Sequence, residues 1–305
     1  MQGSLVRGAL DPRGSDAREI AALWWLLLAL GAAVFAVVAV ALFIGARRNS
    51  TTDASTARRW MLGGGIVLPS TVVAVVLGAT LWAMRSTAEQ PPAVEVEVIG
   101  HQWWWEVRYP DHGVVTANEI HIPAGEPVAL RLQSADVIHS LWIPELAGKL
   151  DLLPERVNTL VIDASSPGEY AGRCAEFCGL QHANMDLVVV AHDAAGFTAW
   201  VAEQRTPAAD PATAPAQRGL VTFLAHDCAS CHTISGASAG GETGPDLTHL
   251  MGRSSIAGGL LDTTVPSLRE WITDPHDVKP GVLMPAPALT DAEIDDLLAY
   301  LETLE

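Results

Sequence analysis

Cationic charge is scarce in this chain: its 305 residues carry 18 Lys and Arg against 35 Asp and Glu, a formal net charge of −17. That balance argues against a nucleic-acid partner, whose phosphates call for basic patches. The sequence also lacks a Ser-His-Asp context and a glycine-rich phosphate loop, which removes the common hydrolase and nucleotide-binding classes. Its opening residues, with Asp11, Asp16 and Glu19, do not form the basic n-region of a signal peptide. Cysteine is confined to four positions, arranged as two pairs, and each pair has a histidine close by in sequence.

The later pair reads Cys228-Ala229-Ser230-Cys231-His232, the attachment signature of a c-type haem. Two thiols at this spacing can add to the two vinyl groups of one porphyrin, which leaves His232 beneath the iron as axial ligand. A second axial ligand is available in Met284, within Lys279-Pro280-Gly281-Val282-Leu283-Met284-Pro285, where the flanking prolines favour a stiff, extended loop. His/Met ligation suits an electron-transfer haem of raised potential. A Cys228–Cys231 redox disulfide or half of a zinc site is the alternative, and neither accounts for the adjoining His and the downstream Met-Pro.

The earlier pair reads Cys174-Ala175-Glu176-Phe177-Cys178, followed by His182 and Met185. Two thiolates, an imidazole and a thioether are soft and borderline ligands that select copper over magnesium, calcium or manganese. A remote His139 completes the set. A single blue-copper ion needs one Cys, two His and a weak Met, so the second Cys points to two metals. A structural disulfide is the plain alternative, and it gives no reason for His and Met at these offsets.

These residues resemble the binuclear copper A motif of subunit II of the haem-copper cytochrome c oxidases. Gly100-His101-Gln102-Trp103-Trp104-Trp105 looks like that family's aromatic segment, and Asp151-Leu152-Leu153-Pro154 ahead of Arg156-Val157-Asn158 is a further match. With the appended haem motif, the chain is similar to the branch with a fused C-terminal cytochrome c. The resemblance implies copper ligation by His139, Cys174, the Glu176 carbonyl, Cys178, His182 and Met185. It implies that the Glu176 carboxylate reaches a magnesium ion shared with subunit I, and that Trp103 lies where electrons enter the copper site. The fused haem offers another route, and packing explains aromatic residues on a strand equally well, so the role of Trp103 stays open. Electrons would pass from a donor, a cytochrome c or a cytochrome bc complex, to haem c, then copper A, then subunit I, which reduces dioxygen with proton translocation. Subunits I and III and membrane lipid are the implied partners. Nothing in the chain resembles a multi-histidine membrane core, so dioxygen chemistry is expected in another subunit. The reading from another class is a membrane-anchored copper-handling or redox-sensing protein.

Ile20–Ala46 and Trp60–Met84 contain no charged residue, and each can cross a hydrocarbon core of about 30 Å. Pro69 and Gly63-Gly64-Gly65 weaken the second as an isolated helix. Trp24, Trp25, Trp60 and Trp82 sit near the ends of the spans, as interfacial aromatics do. Arg47, Arg48, Arg58 and Arg59 place the connection in the cytoplasm and both flanks outside, in a bacterial cytoplasmic membrane. Beyond the spans, Val94–Val98 alternates with period two, and strand candidates follow at Glu119–Ile122, Val128–Leu132, Arg156–Ile162 and Leu187–Ala191, spaced as in a sandwich or barrel. A Pro/Ala stretch from Arg205 marks a linker. Helices are expected over Gly219–His226 and Asp291–Leu304, and Trp271 and Arg253 are candidate partners of the haem propionates. The expected organisation is an outer segment (1–19), a transmembrane helical hairpin (20–85), a cupredoxin-like Greek-key barrel holding copper A (86–203), a linker (204–216) and a class I cytochrome c domain (217–305). The haem domain holds 4 basic and 13 acidic residues, hence −9, against 14 and 22, hence −8, for the rest. That concentration suits a basic redox partner.

Overall fold

The structure, a computed structural model, describes residues 8–47, 53–86 and 92–305. Arg48, in the expected cytoplasmic loop, lies outside them. Two units are distinct: residues 15–47 with 53–86 form one, and residues 8–14 with 92–305 form the other.

The first unit is helical. Helix α1 (Ser15–Arg47) begins ahead of the uncharged run, with Asp16 in its first turn, where a carboxylate complements the helix dipole. The second span consists of α2 (Ala54–Leu62), a π segment (Gly63–Val67) and α3 (Leu68–Ser86), so it stays helical throughout. The glycine run therefore widens the helix and does not break it. A π turn just before Pro69 relieves the clash between its ring and the preceding carbonyls. Both spans are long and apolar enough to cross a membrane, with mean hydropathy of 2.9 and 2.1. Their apolar side chains, such as Phe35, Trp60 and Trp82, are exposed, as lipid-facing groups must be.

The second unit opens with two five-stranded sheets. The first has the order β3 (Val114–Ala117), β2 (Trp104–Tyr109), β1 (Val94–His101), β5 (Val128–Ser134), β8 (Asn158–Ile162). The other runs β4 (Glu119–Pro123), β10 (Asp186–His192), β9 (Gly168–Cys174), β6 (His139–Trp142), β7 (Leu150–Leu152). Pairing is antiparallel except for β1 with β5 and β4 with β10, which join strands distant in sequence. The alternation read at Val94–Val98 buries Val96 and Val98 and turns Glu95 outward. Trp105, Val107 and Tyr109 bury from β2, and Ile120, Leu130, Leu141 and Val189 join them in one core. This is the expected cupredoxin-like architecture, closed by a helix that strand patterning did not reveal, α4 (Ala194–Gln204), capped by Asp193.

Beyond Arg205 a second core forms around Phe223, Leu268, Ile294, Leu297, Leu298 and Leu301. Helix α5 (Ala214–Ala225) starts at the Thr213 cap. Shorter elements follow it, among them α6 (Cys228–Cys231), α7 (Val265–Thr273), α8 (Pro275–Val278) and two small hairpins. The last helix, α9 (Asp291–Leu301), has a complete capping box of Thr290 and Glu293. It packs on α5 so closely that a Cβ on Gly219 would lie 2.0 Å from the Asp296 carbonyl oxygen. Only glycine permits that crossing.

Candidate metal centre and haem attachment site

The soft-ligand cluster is assembled at one end of one sheet. His139 starts β6, Cys174 ends β9, and Cys178, His182 and Met185 lie on the loop that leads into β10. Folding brings the expected set together. The two sulfurs of Cys174 and Cys178 are 3.7 Å apart. His139 Nδ1 lies 3.9 Å from the first sulfur, and His182 Nδ1 lies 3.6 Å from the second. Met185 Sδ is 3.9 Å from Cys178 Sγ, and the Glu176 carbonyl oxygen is 3.2 Å from Cys174 Sγ. His139, Cys174, Cys178 and Met185 are all buried.

The donor chemistry fits a copper pair. Two thiols side by side, each with its own imidazole and one weak outer donor, offer a bridged two-metal arrangement. Without metal they are electrostatically unequal. The hydrogen bond from Cys178 pulls the Cys174 thiol down, with burial opposing and His139 assisting. The same contact, together with burial, pushes Cys178 up. Thiols bind metal as thiolates, so loading the site releases protons.

Sequence reading missed the residue that aims the first imidazole. Asp136 Oδ1 lies 2.8 Å from His139 Nε2, which leaves Nδ1 toward the sulfur, a common second partner of metal-binding histidines. Burial works against a charged His139, but Asp136 raises its affinity for a proton. Asp136 also accepts from the Gln102 backbone N–H at 2.7 Å, tying the aromatic turn to the site. An acid three residues before a ligand His was the available signal.

Trp103 lies in the turn between β1 and β2 and is 8% exposed. Its Nε1–H donates to the Cys178 carbonyl at 3.0 Å, as does the Gln102 amide at 2.7 Å. The Glu176 carboxylate points instead to Lys149, with Oε2 3.3 Å from Nζ.

In the expected haem-binding segment, Cys228 and Cys231 occupy one helical turn and are not bridged to each other. His232 Nδ1 lies 2.7 Å from the Pro245 carbonyl, so that nitrogen carries the hydrogen and Nε2 is left as a lone-pair donor. Burial lowers the pKa of His232 and keeps it neutral, the form a metal requires. These features fit an attached haem. Met284 is half-buried, and its loop packs against the first core alongside Val282. Arg253 is buried and donates to Thr116 Oγ1 at 3.2 Å and to the Asp246 carbonyl, so its guanidinium bridges the two cores. Of the remaining histidines, His121 and His192 are hydrogen-bonded to each other at 2.8 Å and stack with Trp200.

Comparison with known proteins bears on both halves. The family model for the periplasmic domain of cytochrome c oxidase subunit II matches residues 112–192, and that for cytochrome c matches residues 216–305. Cytochrome c oxidase subunit 2 of Alkalihalophilus pseudofirmus is 32% identical over 97% of this chain and 90% of its own length. The protein of the same name from Bacillus sp. strain PS3 is 33% identical over 79% of this chain and 70% of its own. Among solved structures, the periplasmic domain of subunit II of cytochrome oxidase from Bradyrhizobium japonicum is 26% identical, with a TM-score of 0.37, over 38% of this chain and 96% of that one.

Proposed function

The chain belongs to the cytochrome c oxidase subunit II family and carries a cytochrome c domain; on that premise we propose that it is the electron-input subunit of a terminal oxidase. Electrons from a donor, a cytochrome c or a cytochrome bc complex, would enter at a single covalent haem c. They would continue through a binuclear copper A site to a separate subunit I that reduces dioxygen with proton translocation. When bound, the haem and the copper pair supply one-electron redox chemistry, and the residues of this chain hold and orient them. Cys228 and Cys231 would anchor the porphyrin, with His232 and Met284 on its two faces. His139, Cys174, the Glu176 carbonyl, Cys178, His182 and Met185 would hold the two copper ions.

The observation that carries this reading is the pair of sulfurs 3.7 Å apart with an imidazole nitrogen beside each. Asp136 fixes the ring of His139, and the Pro245 carbonyl fixes the ring of His232. Trp103 supports a route into the copper site, because its indole reaches the carbonyl of a sulfur ligand. The Glu176 carboxylate would bind a magnesium ion shared with subunit I, exchanging its exposed partner Lys149 for the metal. Subunit III and lipid of a bacterial cytoplasmic membrane complete the proposed assembly, with both redox domains on the outer side.

Metal analysis with visible and near-infrared spectra tests the proposal. Two coppers and one haem per chain are expected, and Cys178→Ser should abolish the paired-copper absorption while leaving the haem intact. One copper per chain, or zinc held by Cys174 and Cys178, would favour a copper-handling or redox-sensing protein instead.

A further inference from the structure

Lys279 opens the loop that carries Met284, and it is 1% exposed. Its Nζ donates to three carbonyl oxygens: Trp103 at 2.9 Å, Asn184 at 2.7 Å and Ala257 at 2.6 Å. An ammonium has three N–H donors, so all three are used. The acceptors come from three separate segments: the aromatic turn, the copper loop one residue before Met185, and a hairpin turn of the haem domain. A buried lysine without a carboxylate partner is uncommon. Burial pulls its pKa down to about 7, opposed by the charge of Asp186, and the three carbonyls favour the ammonium form.

The surrounding contacts converge on the same place. Gly258 has φ +72°, and a Cβ there would sit 2.6 Å from Lys279 Nζ and 2.7 Å from the Trp103 carbonyl oxygen. The Asp186 backbone N–H donates to the Gly258 carbonyl at 2.9 Å. Gln181 Nε2 donates to the Pro280 carbonyl at 2.8 Å. A Cβ on Gly281 would lie 3.6 Å from the Trp103 ring. The Met284 loop is thus laid directly on the indole that contacts the Cys178 carbonyl.

We propose that Lys279 is a positioning residue for electron exchange between the haem and copper sites: its buried ammonium latches the Met284 loop and the 257–259 turn onto the copper loop. This rests on the electron-input reading above. The step moves one electron from the haem site, which is oxidised, to the copper site, which is reduced. No bond is made or broken, and Lys279 keeps its proton. Its task is to fix the separation and contact of the two loops.

Lys279→Met in the full chain, assembled with its partner subunits, tests this. Asp186 amide exchange reports the docked interface through the Gly258 bond, independently of turnover. It should accelerate about tenfold or more, a factor equivalent to about 1.4 kcal/mol. Light-triggered electron transfer from haem to copper should slow by about tenfold or more, with both spectra and the haem potential unchanged. A merely structural residue would not separate rate from potential in this way. Gly258→Ala, which intrudes on the same contact from the haem side, should give the same pattern if the lysine variant does not fold. Wild-type transfer rates in the folded variants, or slowed transfer with unchanged Asp186 exchange, would overturn the latch. Wild-type protein without copper or haem would overturn the electron-input reading instead, and the Asp186 comparison would still decide whether Lys279 joins the domains.

Discussion

Glu119 offers a test of how the two cores are joined, because its charge can be removed at nearly constant shape. It is 3% exposed on β4, and Oε1 accepts from both the backbone N–H and the hydroxyl of Ser254, each at 2.7 Å. Oε2 lies 3.3 Å from His121 Nε2, and Arg253 adds favourable charge. Burial acts to raise the pKa of this carboxyl, but the hydrogen bonds from His121 and Ser254 outweigh it and hold the group below the usual range. A carboxyl depressed by folding stabilises the native state above its unfolded pKa, near 4.3, and that contribution disappears as pH falls through the folded value. Glu119→Gln keeps an acceptor for Ser254 but turns two charge-assisted bonds into neutral ones. At about 1 kcal/mol each, the expected loss is about 2 kcal/mol at pH 7. Exposure of Ser254 to water sets that figure as an upper value. Urea unfolding of the full chain in detergent, followed by tryptophan fluorescence, should show the variant less stable at pH 7. The gap should close as pH falls below 4. A gap that stays constant with pH would refute the assignment of a buried, charged Glu119.

Two further substitutions bear on the haem half. Met284→Ala should keep the haem attached through Cys228 and Cys231, lower its potential and open the sixth position to added ligands; titration with an exogenous ligand and redox potentiometry check this. Gly219→Ala places a methyl 2.0 Å from the Asp296 carbonyl oxygen, and prying α5 from α9 should cost about 1–3 kcal/mol, read as a lower unfolding midpoint of the haem domain with the copper spectrum intact.

The sequence made the elements and ligands legible where a periodicity or a fixed spacing controls them. Val94–Val98 announced β1, the uncharged runs announced both spans, and Cys174 to Met185 announced its own cluster, because all but one of those ligands share a loop. His139 was harder, since only the fold brings it to the sulfurs. What stayed hidden depends on three-dimensional accidents of packing. Helix α4 has a weak apolar stripe and was overshadowed by strand signals. Asp136 and Lys279 look like ordinary polar loop residues until their partners appear: for Asp136 the His139 ring three residues on, for Lys279 backbone carbonyls far along the chain. The bonds of Arg253, expected from the sequence as a candidate partner of the haem propionates, run to Thr116 and the Asp246 carbonyl, partners that no spacing in the sequence announces.

The burial of Trp103 beneath the Met284 loop has a kinetic meaning. On the proposed reading, the copper domain does not offer the Trp103 indole to a passing protein, because a neighbour on its own chain occupies that place. A donor tethered by a short linker is present at an effective concentration on the order of millimolar, however dilute the mobile carriers are. Filling the copper pair then becomes a first-order event, blind to the abundance of outside proteins. Discrimination among carriers is decided entirely on the exterior of the haem domain, with its 13 acids against 4 bases. Choosing a carrier and feeding the oxidase therefore fall to separate surfaces, and either can drift in sequence without disturbing the other.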